Sequence, residues 1–250
     1  MFSIPPYQPR IAQKYGFVRR ARDCYLYTQR GKRLTDLFQD GGRAILGWNA
    51  GAGGTAFKNV FNRGVHGIFD SEETHRLAKA TAQLLPGFPF SALVPADDAS
   101  LPTGAVQWRP WLGTEGGGTA AAVWFWPPFP LAGNRVILAS KAPLEEPIRT
   151  ASIVQPCILA GISRAIYDLI AEIPRRGEEG WKQYDRALGS CWTRCGPYLF
   201  PRMAQGEYGD FAARCLEAGL VISPHYGIPS IVPWGANKGD FKEYICRIFN

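Results

Sequence analysis

The stretch Tyr208-Gly-Asp-Phe-Ala-Ala-Arg-Cys-Leu-Glu-Ala-Gly219-Leu-Val-Ile-Ser-Pro224 decides how the chain is read. Glu207 to Ala218 carries apolar residues at helical spacing, Gly219 supplies a C-cap, and Leu220 to Ile222 follows as a short strand. A second strand at Ile228 to Val232 and a closing helix over Phe241 to Phe249 complete an alternation of helix and strand. That alternation predicts an α+β C-terminal part.

Working towards the N-terminus, Ile158, Ile162, Ile166, Leu169 and Ile173 recur at helical spacing, with Pro156 in the first turn and Pro174 as the stop. A further helix is expected over 181–195, with Trp181, Tyr184, Leu188, Cys191, Trp192 and Cys195 on one face. Residues 86–151 are dense in Pro, Gly and Trp. They offer only short strand candidates, at Ala105 to Trp108, Val123 to Trp126 and Val136 to Ala139.

Asp70 with Glu73 three positions later opens a helix bearing Leu77, Ala80, Leu84 and Leu85, which Pro86-Gly87 stops. The glycines between Gly41 and Gly54 are expected to break regular structure. Before them, Cys24 to Thr28 and Arg33 to Phe38 flank Gln29-Arg30-Gly31-Lys32, the pattern of a hairpin. The chain therefore reads as α/β, with α+β ends, and no repeat or clean linker divides it.

At 250 residues and 46% hydrophobic content the chain can bury a substantial core. The longest apolar run, Ala120 to Ala132, holds Pro127, Pro128 and Pro130 and is too short to span a bilayer as a helix. With no apolar signal core at the start, a cytoplasmic protein without a membrane partner is expected. Six cysteines in that setting read as reduced, packed thiols. Cys191 and Cys195 would share a helix face, but with only His66, His75 and His225 as histidines no metal-ligand spacing is expected. The net charge of +7 sits in residues 1–33, where eight Lys/Arg face Asp23 alone. Such an arm could meet a polyanion, yet no nucleic-acid motif accompanies it and a solvated or subunit-covering arm is the preferred reading.

Three pieces of the chain resemble one known family. Arg20 to Phe38, followed by Ile45-Leu-Gly-Trp-Asn49, looks like the opening of the class III, fold-type I aminotransferases and glutamate-1-semialdehyde aminomutases that use pyridoxal phosphate. Trp48 and Ala50-Gly51 depart from that family's Gly-His-Asn-His-Pro-like motif. Tyr208 to Pro224, with Ala236-Asn-Lys-Gly-Asp240 after it, is similar to the family's C-terminal small domain, and the helix at Pro156 to Ile173 stands where the family has the helix after its catalytic lysine. Together they cover roughly half of the chain. The resemblance implies a reduced fold-type I architecture: a basic arm and hairpin at 1–40 packing with the small domain, a curtailed large domain at 41–150, and C-terminal helices with a small α+β domain at 151–250. It also implies a homodimer, with an amino-acid-like small molecule as substrate if the chain is active.

Pyridoxal phosphate chemistry requires a Schiff-base lysine, a carboxylate for the pyridinium nitrogen, and backbone N–H groups for the phosphate. Lys141, delivered with Ser140 by the apolar run Val136 to Ala139, is the candidate lysine. Gly113, Thr114, Glu115, Gly116 and Thr119 resemble the family's Gly-Thr-Glu-Ala phosphate loop. Trp124 and Trp126 could stack on a ring but read more simply as core. The carboxylate is missing, since residues 116–140 contain no Asp or Glu. Three readings follow: a degenerate, non-catalytic aminotransferase-like protein with a binding or dimerisation role; a minimal pyridoxal phosphate enzyme using Lys141 with an acid such as Asp97 or Asp98; and a basic-arm polyanion-binding module.

Overall fold

A computed structural model describes residues 10–49, 51–68, 71–97, 100–114, 120–145 and 154–241. In chain order these form α1 (Arg10–Tyr15), β1 (Val18–Arg22), β2 (Tyr25–Thr28), β3 (Arg33–Asp36), α2 (Gly51–Asn62), α3 (Glu72–Leu84), β4 (Phe90–Pro95), β5 (Val106–Arg109), β6 (Gly113–Thr114), β7 (Ala122–Phe125) and β8 (Arg135–Ser140). After them come α4 (Pro156–Glu172), α5 (Glu178–Lys182), α6 (Asp185–Leu188), β9 (Trp192–Cys195), β10 (Tyr198–Pro201), α7 (Tyr208–Ala218), β11 (Leu220–Val221) and β12 (Ser230–Ile231). The chain is a mixed α/β protein, and its contacts divide it into two units, with cuts at 49/50 and 175/176. The sequence reading set its limits at 40 and 150.

In the unit that runs to Arg175, five strands lie in the order β4-β8-β7-β5-β6. β8 is antiparallel to both β4 and β7, and β7 is parallel to β5. Side chains alternate across this sheet as strand pleating requires. Leu93, Val123, Phe125, Ile137 and Ala139 join Leu77 and Ala80 of α3 and Leu159, Ile162 and Ile166 of α4 in one core. Ala92, Val94, Ala122, Trp124, Val136 and Leu138 form a second core on the other face. Burial on both faces explains why these strands read as unbroken apolar runs instead of alternating ones.

α4 packs against both α2 and α3. The contact with α2 is close: a Cβ on Gly53 would lie 3.0 Å from the carbonyl oxygen of Gly161, and one on Gly161 would meet the ring of Phe129 at 2.5 Å. The glycine-rich stretch expected to break regular structure therefore opens a helix at Gly51. Gly53 costs helix propensity, and its lack of a side chain lets two backbones cross there. α3 begins at Glu72 behind an extended Ser71, whose side chain makes no capping bond; Asp70 lies outside the described residues.

In the other unit, β1-β2-β3-β11 form a sheet in which β11 runs parallel to β3, pairing Leu220 with Thr35. The N-terminal hairpin and the strand after α7 thus share one sheet, sealed by Leu26, Leu34, Phe38, Leu216 and Val221. Gly219, with φ of 96°, ends α7 in the left-handed cap that its position requires. The helix expected over 181–195 does not form as one element. α5 and α6 are single short helices, and Trp192–Cys195 is a strand paired antiparallel with β10 across Gly196-Pro197. Cys191 and Cys195 therefore share no helix face; the first is buried and the second exposed. The closing helix expected at 241–249 falls almost wholly on residues outside the described ones.

Candidate active site

The corner built by β8 holds the candidate lysine. Ser140 ends the strand, and its hydroxyl accepts a bond from the Ala142 N–H at 3.1 Å, turning the chain outward. The Lys141 N–H donates to the Ala121 carbonyl at 3.0 Å, two residues past Thr119 in the sequence. The Lys141 side chain is exposed, with its ammonium 5.5 Å from the ring centre of Phe88. Gly113 and Thr114 pair with Arg109 and Trp108 on β5, three strand positions from β8, which is about 14 Å across the sheet. Glu115, Gly116 and Thr119 lie outside the described residues.

The strands at this corner lack the acid that pyridoxal phosphate requires. None of the five strands of the sheet carries an Asp or Glu, so no strand residue could keep a pyridinium nitrogen protonated. Asp97 lies past Pro95, which pairs with Arg135 at the far end of β8 from Ser140; five residues of strand, about 17 Å, intervene. Its carboxylate accepts from the Ser100 N–H at 2.8 Å. Asp98 lies outside the described residues. Trp124 is buried in the sheet core, edge-on to Trp126 at 6.1 Å between ring centres, so its surface is already covered by neighbours.

The other unit contains a small cavity of about 210 Å³ lined by Asp23, Cys24, Gln39, Arg176 and Trp234, among others. Asp23, Gln39 and Asp40 all have positive φ, a left-handed conformation that is uncommon outside glycine and that Asp tolerates better than most. Buried Asp36 holds that loop: it accepts from the N–H groups of Phe38 and Gln39 at 3.0 Å and from the Trp48 indole at 2.8 Å. Arg176 donates to the Ile45 carbonyl at 3.0 Å and lies 5.8 Å from the Trp234 ring centre. Burial pushes the Cys24 thiol up to about 11, away from nucleophilic use. Arg194 grips Asp185 and Glu178 and holds both carboxyls below their ordinary range. These polar groups are tied to the fold.

No protein-family model matches the sequence. An uncharacterised protein of Treponema pallidum (strain Nichols) is 32% identical over 284 aligned positions, covering 91% of this chain and 92% of that protein. The chain belongs to that protein's family. Among solved structures, N-acetylornithine aminotransferase from Stenotrophomonas maltophilia superposes with a TM-score of 0.66 at 9% identity, over 96% of this chain and 97% of that one. Ornithine aminotransferase from Plasmodium yoelii gives 0.66 at 10%, over 96% of each chain. An omega-transaminase from Sphaerobacter thermophilus gives 0.66 at 10%, over 93% and 89%. The fold is that of the fold-type I aminotransferases.

Of the residues singled out from sequence, the fold brings Lys141 beside Ala120–Ala121 and leaves Gly113 and Thr114 on the distant strand. Sequence reasoning missed the polar residues that α2, α3 and α4 gather on their shared face, among them Asn59, Lys79 and Tyr167. The available signal was the i, i+3 pairing of Arg76 with Lys79 and of Arg164 with Tyr167.

Proposed function

We propose that this chain is an aminotransferase-fold protein with a curtailed large domain that has given up pyridoxal phosphate catalysis and acts by binding, as a homodimer in the cytoplasm. The observation that carries the reading is the acid-free sheet beside an exposed Lys141. Without a carboxylate at its nitrogen the cofactor ring is a poor electron sink. An exposed lysine is also open to water, which a covalent cofactor site excludes. Support for association comes from α2 and its exit, where Phe61 and Ile68 are exposed large apolar residues and Phe61 stacks on Phe57 and His66. The five described cysteines are unpaired thiols, as suits a reducing compartment.

One observation favours the minimal-enzyme reading: Lys141 bonds through its backbone N–H to Ala121, which follows the glycine-rich stretch closely in sequence. Against the polyanion reading, much of the basic arm is engaged locally. Lys14 pairs with Glu217, Arg33 pairs with Asp240 and covers Tyr25, and Arg20 covers Tyr27.

Incubation with pyridoxal phosphate, borohydride reduction and peptide mass spectrometry tests the first reading against the second. We expect no more modification at Lys141 than at exposed Lys58. Stoichiometric labelling confined to Lys141 establishes the enzyme reading instead. Sedimentation should give twice the chain mass; a monomer at micromolar concentration removes the homodimer from the proposal.

A further inference from the structure

α2, α3 and α4 enclose a groove of about 630 Å³ that shares no residue with the Lys141 corner. The volume is that of a small-molecule site. Its floor is apolar, made by Ala56 and Val60 of α2 and Ala160 of α4. Its walls are cationic, with Arg63, Arg76, Lys79 and Arg164 against a single acid, Glu73.

The acid organises the cations. Glu73 is 5% exposed, and its carboxylate takes Arg76 at 3.1 Å and Arg63 at 3.9 Å. A buried carboxylate between two guanidinium groups is fully paired, so it fixes their positions without reversing the sign of the groove. Outside the lining, Glu72 also takes Arg76 at 3.0 Å and Asp168 holds Arg164 at 3.0 Å, which leaves Lys79 as the cation without an acid partner among the described residues. Three polar groups on the same walls are uncommitted: the Lys79 ammonium, the Asn59 amide and the Tyr167 hydroxyl make no ion pair or hydrogen bond among the described residues. They come from three helices, which only the tertiary fold brings to one place.

We infer that this groove binds a small organic anion, a phosphate or carboxylate group carried on a body with an apolar face. Lys79 and Arg164 meet the anionic group, Asn59 and Tyr167 hydrogen-bond its oxygens, and Ala56, Val60 and Ala160 receive the apolar body. Charge-assisted bonds in a partly desolvated groove supply the affinity, and the convergence of three helices supplies the selectivity. The inference holds whether or not Lys141 ever carries a cofactor.

Titration of the full chain with 1-naphthyl phosphate, 1-naphthoate, 1-naphthol and inorganic phosphate tests it. One of the two naphthyl anions should bind saturably at one site, at least about tenfold tighter than either naphthol or phosphate alone. Which anion is the tighter distinguishes a phosphate site from a carboxylate site. Lys79→Met should weaken that binding about tenfold and Tyr167→Phe about threefold. Lys58→Met, exposed on α2 and outside the groove, should leave it unchanged. Melting curves check that each variant is folded, and Arg164→Met gives a second view of the cationic wall. The inference is overturned if neither anion binds saturably, or if binding is indifferent to both Lys79→Met and Arg164→Met.

Discussion

The two units differ in which polar side chains they leave without partners. In the unit made by the hairpin and the C-terminal elements, Asp36, Arg194 and Tyr208 are each closed on partners within the fold. In the unit made by 51–175, the sheet has no acids at all, while the helical face keeps Lys79, Asn59 and Tyr167 uncommitted. In the first unit these polar groups hold structure; in the second, the sheet strands carry no acid and the uncommitted polar groups stand between helices.

The comparison can be broken first at Asp36. Asp36→Ala removes the acceptor of three bonds inside a buried site, and should lower unfolding free energy by about 3 to 5 kcal/mol in urea titrations. If the change costs less than a surface substitution, that carboxylate is not holding the loop. In the other unit the test is steric. Gly161→Ala places a methyl against Phe129 and should cost about 1 to 3 kcal/mol, despite alanine's better helix propensity. Unchanged stability would mean that Phe129 packs on α4 less tightly than described.

Tyr208→Phe removes the bond from its hydroxyl to the Ser223 carbonyl, 2.8 Å long, and should cost about 1 kcal/mol by thermal melts. Burial also pushes that hydroxyl up to about 12, as it raises Cys24 to about 11 and Cys191 and Cys215 above their ordinary values. These groups stay protonated in the fold to higher pH than in the unfolded chain, so the folded state holds more protons and stability falls as pH rises. Their contribution should be complete below pH 9.0, the ordinary thiol value, and decline above it, through about 11 for Cys24 and about 12 for Tyr208. A urea midpoint that stays flat to pH 11 would contradict their burial. The smallest effect is expected at Lys14→Ala, whose 3.2 Å pair with Glu217 is exposed, at about 0.5 kcal/mol or less.

Much of the architecture was legible because local signals agreed with the fold. Gly31 in the hairpin turn, the isoleucines of α4 behind Pro156, and Gly219 after α7 each state their element in a few residues. Where reading failed, tertiary structure overrode a local pattern. Trp181, Tyr184, Leu188, Cys191, Trp192 and Cys195 keep helical spacing, yet the antiparallel pairing of Trp192–Cys195 with Tyr198–Pro201 decides their end as a strand. The glycines of α2 look like a breaker until the carbonyl of Gly161 is seen against Gly53.

The site was legible in the same uneven way. The absence of acids from 116–140 is visible in the sequence, but that Asp97 lies at the wrong end of β8 follows only from strand register. For the groove, the i, i+3 pairs Arg76/Lys79 and Arg164/Tyr167 mark polar helix faces, but no spacing along the chain records that three helices bring them together.

We propose that this chain does not hold pyridoxal phosphate. Equilibrium dialysis of the purified full chain against the cofactor, read by its visible absorbance, tests it most directly. The account predicts no saturable binding beyond the weak, unsaturated uptake of exposed lysines, and no change in Lys141→Ala. One cofactor per chain, saturating and lost in Lys141→Ala, would contradict it.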